Sequence, residues 1–382
     1  MFIPRDERAL AQYEKFVKVT DIFPVKSTGI KTHRDNFVID FDKESLKRRI
    51  RTFLDPSLPD DFVRETFKLK DNRDWKLSKK RRKIQEDKDW EKKIIPCLYR
   101  PFDIRWLFYH PDAIDFGRED VMQHMCQDNL ALMLPRRLET ESFTHVLCTN
   151  TAITNHTLCL KEVNYLFPLW LYHKENEAAT LSLAHATSRI CNLRENLEKS
   201  IAKSANSKTK PEAIFYYIYA ILYSNLYRKK YTEFLRTDFP RIPFTKDHEF
   251  FEQLAALGKR LVDLHLLRSD ELDSPIVRFE GSGDGIIKAG KGGLRYDPET
   301  ERVYINKTQY FEGVPPEVWE YQIGGYQVCH KWLKDRKNRR LSLDEIKTYC
   351  RIVTALQKTI ESQEEIDKIY ALVEETLIDI SS

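Results

Sequence analysis

Hydrophobic positions fall into two regimes along the chain. Over the first ~175 residues, apolar residues come in short runs broken by turns and charged helices, the pattern of alternating strands and helices. DNFVIDFDKESLKRRIRTF predicts a strand and then a helix from Asp42, capped by Asp42 or Ser45, with Leu46, Ile50 and Phe53 as its stripe. DDFVRETF predicts a short helix, and the KKRRK run at 79–83 predicts an exposed one. IIPCLYRPFDIRWLFYHP predicts strand, turn and strand. NLALMLP, FTHVLCTN and VNYLFPLWLYH predict three more strands.

Residues 174–210 lose this order and read as a linker ending in SIAKSANSKTKPE. A helical period then sets in. Pro211 suits a first turn, and AIFYYIYAILYSNLYRKKYTEFL continues from it until Pro240 and Pro243 break it. DHEFFEQLAALGKRLVDLHLL is a second amphipathic helix. Residues 276–313 hold seven of the 12 glycines and predict β-hairpins. PPEVWEY, LSLDEIKTYCRIVTALQKTI and EEIDKIYALVEETL predict closing helices. The expected fold class is α+β. A mixed-sheet part spans 1–175, a linker 176–210, and a helix-rich part with hairpins at 276–313 spans 211–382.

Composition narrows the class. With 382 residues, 41% hydrophobic and 32% charged, the chain can bury a core, so wholesale disorder is not expected. No stretch approaches a membrane span, and MFIPRDERALAQYEKF lacks the apolar core of a signal peptide. The seven cysteines are scattered and never form CxxC, a reduced pattern without zinc-ribbon spacing. The expectation is a cytoplasmic chain with no metal site and no membrane partner.

Charge is uneven although the net is only +4. Arg64–Lys93 carries 13 cationic and 7 anionic residues, Lys331–Arg351 carries 8 and 3, and Glu361 to the end carries 1 and 7. Two basic stretches fit either a polyanion partner or solvated faces. Tyr216, Tyr219, Tyr223, Tyr227 and Tyr231 line a helix face that ends at Arg228, Lys229 and Lys230, suited to stacking on bases or to packing against a neighbouring part. KWLKDRKNRRLS places Lys334, Arg336, Lys337, Arg339 and Arg340 before a helix start, suited to phosphates or to solvent. Arg136 and Arg137 follow a strand and suit guanine O6/N7, or again a plain surface.

Three enzyme-like patterns lack their context. GSGDG at 281–285 does not open a helix, and no Asn/Asp-Pro-Pro-Tyr/Phe tetrapeptide holds an adenine. Gly285-x4-Gly290-Lys291-Gly292 lacks the hydroxyl that a Walker motif places on magnesium. Asp335 with Glu345 and Lys347 loosely matches a nuclease, but Ser342 and Glu345 form a capping box that accounts for the glutamate.

One block is more specific. Tyr99, Arg100, Pro101, Phe102, Asp103, Arg105 and Trp106 resemble the YRPFDxRW signature in the C-terminal region of type ISP restriction–modification enzymes. VTDIFPVKSTGIKTHRDNFVID lies upstream. NLALMLPRR, NYLFPLWLY, AIFYYIYAILYSNLYRKKYTEFLRTDFPRIPF, LGKRLVDLHLL and VWEYQIGGYQVCHKWLKDRKNRRLSLDEI follow in the family's order, so the resemblance runs from about residue 20 to 370. Such enzymes join a nuclease, a helicase-like ATPase, an adenine methyltransferase and a target recognition domain. The resemblance covers only the last.

It implies a module without catalytic residues that reads double-stranded DNA for a methyltransferase/helicase–nuclease polypeptide. S-adenosylmethionine, ATP and Mg would then belong to that partner, and none to this chain. Arg136, Arg137, Lys334, Arg336, Lys337, Arg339 and Arg340 are the expected DNA contacts. Tyr99, Arg100, Phe102, Asp103, Arg105 and Trp106 are the expected methyltransferase junction, where an Asp103–Arg105 or Asp103–Arg100 ion pair would fix the backbone. The competing reading is a docking module, or a remnant of one, without DNA selectivity.

Overall fold

A computed structural model describes residues 7–172, 189–204, 209–290 and 292–378. The first half supplies strands β1 (Ser27–Thr28), β2 (Ile39–Asp40), β3 (Ile94–Arg100), β4 (Asp103–Phe108), β5 (Ala131–Pro135), β6 (Leu147–Thr149), β7 (Ala152–Ile153) and β8 (Asn164–Pro168). They form two four-stranded sheets, ordered β1-β8-β5-β6 and β2-β4-β3-β7. The second sheet is antiparallel except for the parallel β3–β7 pair. The second half adds β9 (Arg278–Glu280), β10 (Arg295–Asp297), β11 (Arg302–Tyr304) and β12 (Tyr310–Glu312), an antiparallel sheet ordered β9-β12-β11-β10. A small hairpin, β13 (Gln322–Ile323) and β14 (Tyr326–Gln327), follows. The fold is therefore α+β, as the sequence pattern indicates.

The main helices are α1 (Lys43–Leu54), α2 (Leu77–Gln85), α3 (Pro211–Tyr223), α4 (His248–His265), α5 (Val328–Lys334) and α6 (Leu343–Val373). Asp42 caps α1 by accepting from the Ser45 amide at 2.7 Å, and Leu46, Ile50 and Phe53 are buried. The Ser342/Glu345 capping box is complete.

Several elements differ from expectation, each for a local reason. Residues 35–38 form a helical turn rather than strand, with the Val38 amide closing on Arg34 O. The Tyr-rich helix stops at Tyr223, because the Ser224 hydroxyl accepts from the Tyr227 amide and caps a new helix, Asn225–Lys230. The last two of the three closing helices are one, α6. Nothing between Ile360 and Glu364 breaks it, and Gln363 turns inward to donate to Tyr223 O at 2.9 Å. In α2, Arg81 is buried and donates to Phe53 O and Asp60, so the KKRRK run is exposed on only part of its circumference.

Two hydrophobic clusters make up the core. One joins Phe53, Leu98, Leu107, Ile153, Phe311, Trp332, Tyr349 and Leu356. The other joins Phe23, Leu132, Phe167, Leu197, Tyr217, Leu254, Ile366 and Tyr370. Each draws on residues from both sides of 176–210, and α6 contributes to both. The linker reading also needs correction where the segment is described. Arg189–Cys191 pairs antiparallel with Trp170–Tyr172, and Glu195–Ser204 is a helix whose Leu197 and Ile201 are buried. Residues 173–188 and 205–208 of that stretch lie outside the described residues.

The tyrosine stripe belongs to the second cluster. Tyr219, Tyr223, Tyr227 and Tyr231 are buried, while Tyr216 is half-buried. Their hydroxyls are engaged inside: Tyr223 donates to Val146 O at 2.9 Å and Tyr227 to Arg241 O at 2.6 Å. Packing, not base stacking, accounts for them. The acidic C-terminal stretch is likewise engaged within the chain, with Glu365 paired to Arg260 and Glu374 to Lys230.

Where α3 and α4 cross, Gly258 lets the backbones meet, since a Cβ there would lie 1.8 Å from Tyr216 O. Gly258→Ala is expected to cost about 1–3 kcal/mol by forcing the helices apart. Urea unfolding checks this, and an unchanged midpoint would show that the crossing adjusts freely.

Candidate nucleic-acid interface

The YRPFD turn joins β3 to β4 across a register shift between Leu98 and Arg100, with Phe102 at φ 58. A non-glycine residue in the left-handed region persists only where its surroundings hold it. Here they do: Phe102 is buried, and its carbonyl accepts from the Trp332 indole at 3.3 Å. That bond ties the turn to α5, 230 residues away in sequence.

Asp103 sits at the centre of an ion-pair node. Its side chain is 1% exposed. One oxygen accepts from Arg105 at 3.0 and 2.7 Å, and the other accepts from Arg336 at 2.8 Å. Arg336 also donates to Glu345 at 3.1 Å and stacks on Trp332 at 3.4 Å. Phe41 lies under three guanidiniums, with Arg105 at 3.9, Arg336 at 4.8 and Arg339 at 3.9 Å from the ring centroid. Burial pulls the Arg336 pKa below its usual value, and Asp103 and Glu345 oppose that shift.

This geometry revises the expected site. Arg336 is 5% exposed and belongs to the frame, not to the contact set, because all its chemistry is used by Asp103, Glu345 and Trp332. Arg339 is half-buried, pairs with Glu345 at 3.4 Å and presents less than its charge suggests. Lys334, Lys337 and Arg340 are exposed around it. Asn338, at φ 61, turns this loop so that its amide reaches Ile287 O, while Leu341 reaches Gly285 O. The loop therefore rests on the glycine-rich stretch, where Gly281, Gly285, Gly290 and Gly292 all have positive φ, as turns require.

Arg136 and Arg137 leave the end of β5 exposed. Arg136 is 53% exposed and, among the described residues, uses only Nε, on Asp238 at 2.9 Å, which leaves both terminal amines for an outside acceptor. Tyr99 and Arg105 are half-buried and Trp106 lies under Lys43. Arg100 does not pair with Asp103. It donates to Tyr99 O at 2.6 Å and stacks on the Tyr99 ring at 4.1 Å.

Arg100 instead lines a cleft that sequence reasoning missed. The cleft has a volume of about 590 Å³ and is bordered by Lys31, His33, Arg34, Lys68, Lys70 and His156. Arg34 is held by Asp115 at 2.6 Å, and Asp35 accepts from Tyr99 at 3.0 Å. Its walls come from four separate segments, so no compact motif marks it; the THRD run at 32–35 is the only local signal. The fold also brings together His145, Cys159 and Glu162, all buried; Cys159 and Glu162 stand three apart, a local spacing that the sequence reading did not single out.

Asp335 and Glu345, the loose nuclease match, are taken by cations: Asp335 pairs with Lys331 and, at 3.6 Å, with Arg105. Among the described residues no helix is long and apolar enough to cross a membrane.

The class defined by this architecture is an α+β module whose buried ion-pair frame holds up cationic loops. A family model, the type ISP C-terminal specificity domain, matches residues 21–366, and the chain belongs to that family. Three solved structures share the fold. One is a DrdV–DNA complex, with 21% identity and a TM-score of 0.70 over 90% of this chain and 36% of that one. Another is the ATP-dependent type ISP restriction–modification enzyme LlaBIII bound to DNA, with 19% identity and 0.70 over 95% and 24%. The third is a nuclease-deletion mutant of the type ISP enzyme LlaGI with a DNA substrate mimic, with 19% identity and 0.64 over 95% and 29%. The chain thus spans from 24% to 36% of the length of these three. No curated protein matches it.

Proposed function

We propose that this chain reads a short sequence in double-stranded DNA as the specificity module of a restriction–modification adenine methyltransferase/endonuclease. The observation that carries the reading is the family match over residues 21–366. The three fold relatives, each in a complex with DNA or a DNA mimic, support it.

In this reading, labour is divided between loops. Lys334, Lys337 and Arg340, with a smaller share from Arg339, neutralise phosphates and fix register. Arg136 and Arg137 reach base edges, Arg136 with a pair of amines suited to guanine O6 and N7. Asp103, Arg105 and Arg336 hold the frame. Exposed Ile104, between Asp103 and Arg105, and exposed Leu343, two residues before Glu345, suit docking of the methyltransferase/helicase–nuclease polypeptide. S-adenosylmethionine, ATP and magnesium are assigned to that partner, and catalysis with them.

The test is a base-substitution series. Arg136→Ala is expected to relax preference at one base position, costing about 1–3 kcal/mol on the preferred duplex and little on its variant. Competition titrations against all four bases at each position read this out. Equal weakening on every sequence would remove Arg136 from base reading.

A further inference from the structure

The strongest unassigned chemistry is the group at the foot of the loop that follows Arg136 and Arg137. His145 is 1% exposed, Cys159 6% and Glu162 7%. Their ligand atoms lie within 4.8 Å of one another. Among the described residues, both ring nitrogens of His145 lack a hydrogen-bond partner, as does Oε2 of Glu162. A buried polar group left unpaired is costly, so a core normally pairs it with something. Two such side chains face one thiol here. The other Glu162 oxygen is occupied, accepting from the Glu139 amide at 3.0 Å, which fixes the carboxylate in place.

We propose that His145, Cys159 and Glu162 bind one zinc ion. An imidazole, a thiolate and a carboxylate are the zinc donor set, whereas a thiol and an imidazole do not suit magnesium or calcium. Bonds of about 2.0–2.3 Å would draw the three atoms to roughly 3.5 Å apart, with the His145 ring and the Cys159 side chain moving toward the fixed carboxylate. The thiol proton leaves on binding, and the thiolate together with the carboxylate neutralises the ion. The fourth position is left to a water or a main-chain carbonyl.

The surroundings suggest what the ion would do. A Cβ on Gly325 would lie 2.8 Å from the Cys159 sulfur, so the β13–β14 turn is pressed against the site. Thr144 O accepts from the Gly324 amide at 2.9 Å, and Tyr326 donates to His156 O at 3.1 Å. Zinc would brace residues 145–162, the stretch on which the hairpin that leads into α5 rests, without taking a ligand from the hairpin itself. It would thereby set the loop carrying Arg136 and Arg137 relative to the one carrying Lys334 and Lys337. The site is structural, and it stands whether or not the DNA reading does.

The test is metal content of the purified 382-residue chain, expressed with added zinc and dialysed without chelator. About one zinc per chain is expected, falling at least tenfold in Cys159→Ser and His145→Gln. Because either variant can misfold, the unsubstituted chain is also titrated with cobalt(II). A thiolate-to-cobalt charge-transfer band in the near ultraviolet, abolished by competing zinc, is expected. Less than about 0.1 zinc per chain without that band overturns the proposal. So does zinc that both folded variants retain, since that metal would be bound elsewhere.

Discussion

Replacing Asp103 by alanine is expected to lower the unfolding free energy by about 3–5 kcal/mol, the usual cost of stranding a buried charge. The argument rests on what the carboxylate holds. It takes Arg105 on one oxygen and Arg336 on the other, and Arg336 is itself buried against Trp332 and Phe41. Without Asp103, Arg336 keeps only Glu345 as a counter-charge, and Glu345 is shared with Arg339 and the α6 cap. The paired replacement Asp103→Leu with Arg336→Met is expected to recover much of the loss, because two apolar groups of similar volume need no partner. Urea unfolding of the single and double variants reads this out. A loss below about 1 kcal/mol for Asp103→Ala would mean that water reaches the node and screens it.

Replacing Lys334, Lys337 and Arg340 together by alanine is expected to flatten the salt dependence of duplex binding by about 2.7 in log–log slope, at about 0.9 per phosphate. At 0.1 M salt that corresponds to a loss of roughly 10²–10³ in affinity for every sequence alike. All three side chains are exposed, and the loop beneath them is fixed by the Asn338 and Leu341 amides, so the substitution removes charge without removing fold. Circular dichroism and the unfolding midpoint should therefore stay at the unsubstituted values. An unchanged slope would place this loop away from the DNA. Loss of preference for one sequence, with the slope intact, would exchange its role with that of Arg136.

Local chemistry was legible in the sequence and long-range chemistry was not. The Asp42 cap, the Ser342/Glu345 box and the β3–β4 turn are each encoded within a few residues, and each is present in the structure. Arg336 shows the limit. In a run of six cations it reads as one more solvated charge, yet the residue that buries it, Asp103, lies 233 positions upstream. Arg81 is hidden within KKRRK for the same reason, its acceptors lying on 53–60. The tyrosine stripe was ambiguous because stacking on bases and packing in a core call for the same spacing. What decided it was acceptors such as Val146 O and Arg241 O, which no periodicity reveals. The cleft around Arg100 is assembled from separated segments and leaves no spacing to read; His145, Cys159 and Glu162 share one stretch, 145–162, but their burial and convergence are not visible in it.

The most direct test of the central claim is selection of random-sequence duplexes by the purified chain at about 0.15 M salt, where the non-specific background is controlled. The account predicts enrichment of one asymmetric motif, with that preference reduced at one position by Arg136→Ala. Binding to all duplexes without enrichment, or no binding at all, would contradict the claim that this chain itself reads DNA sequence.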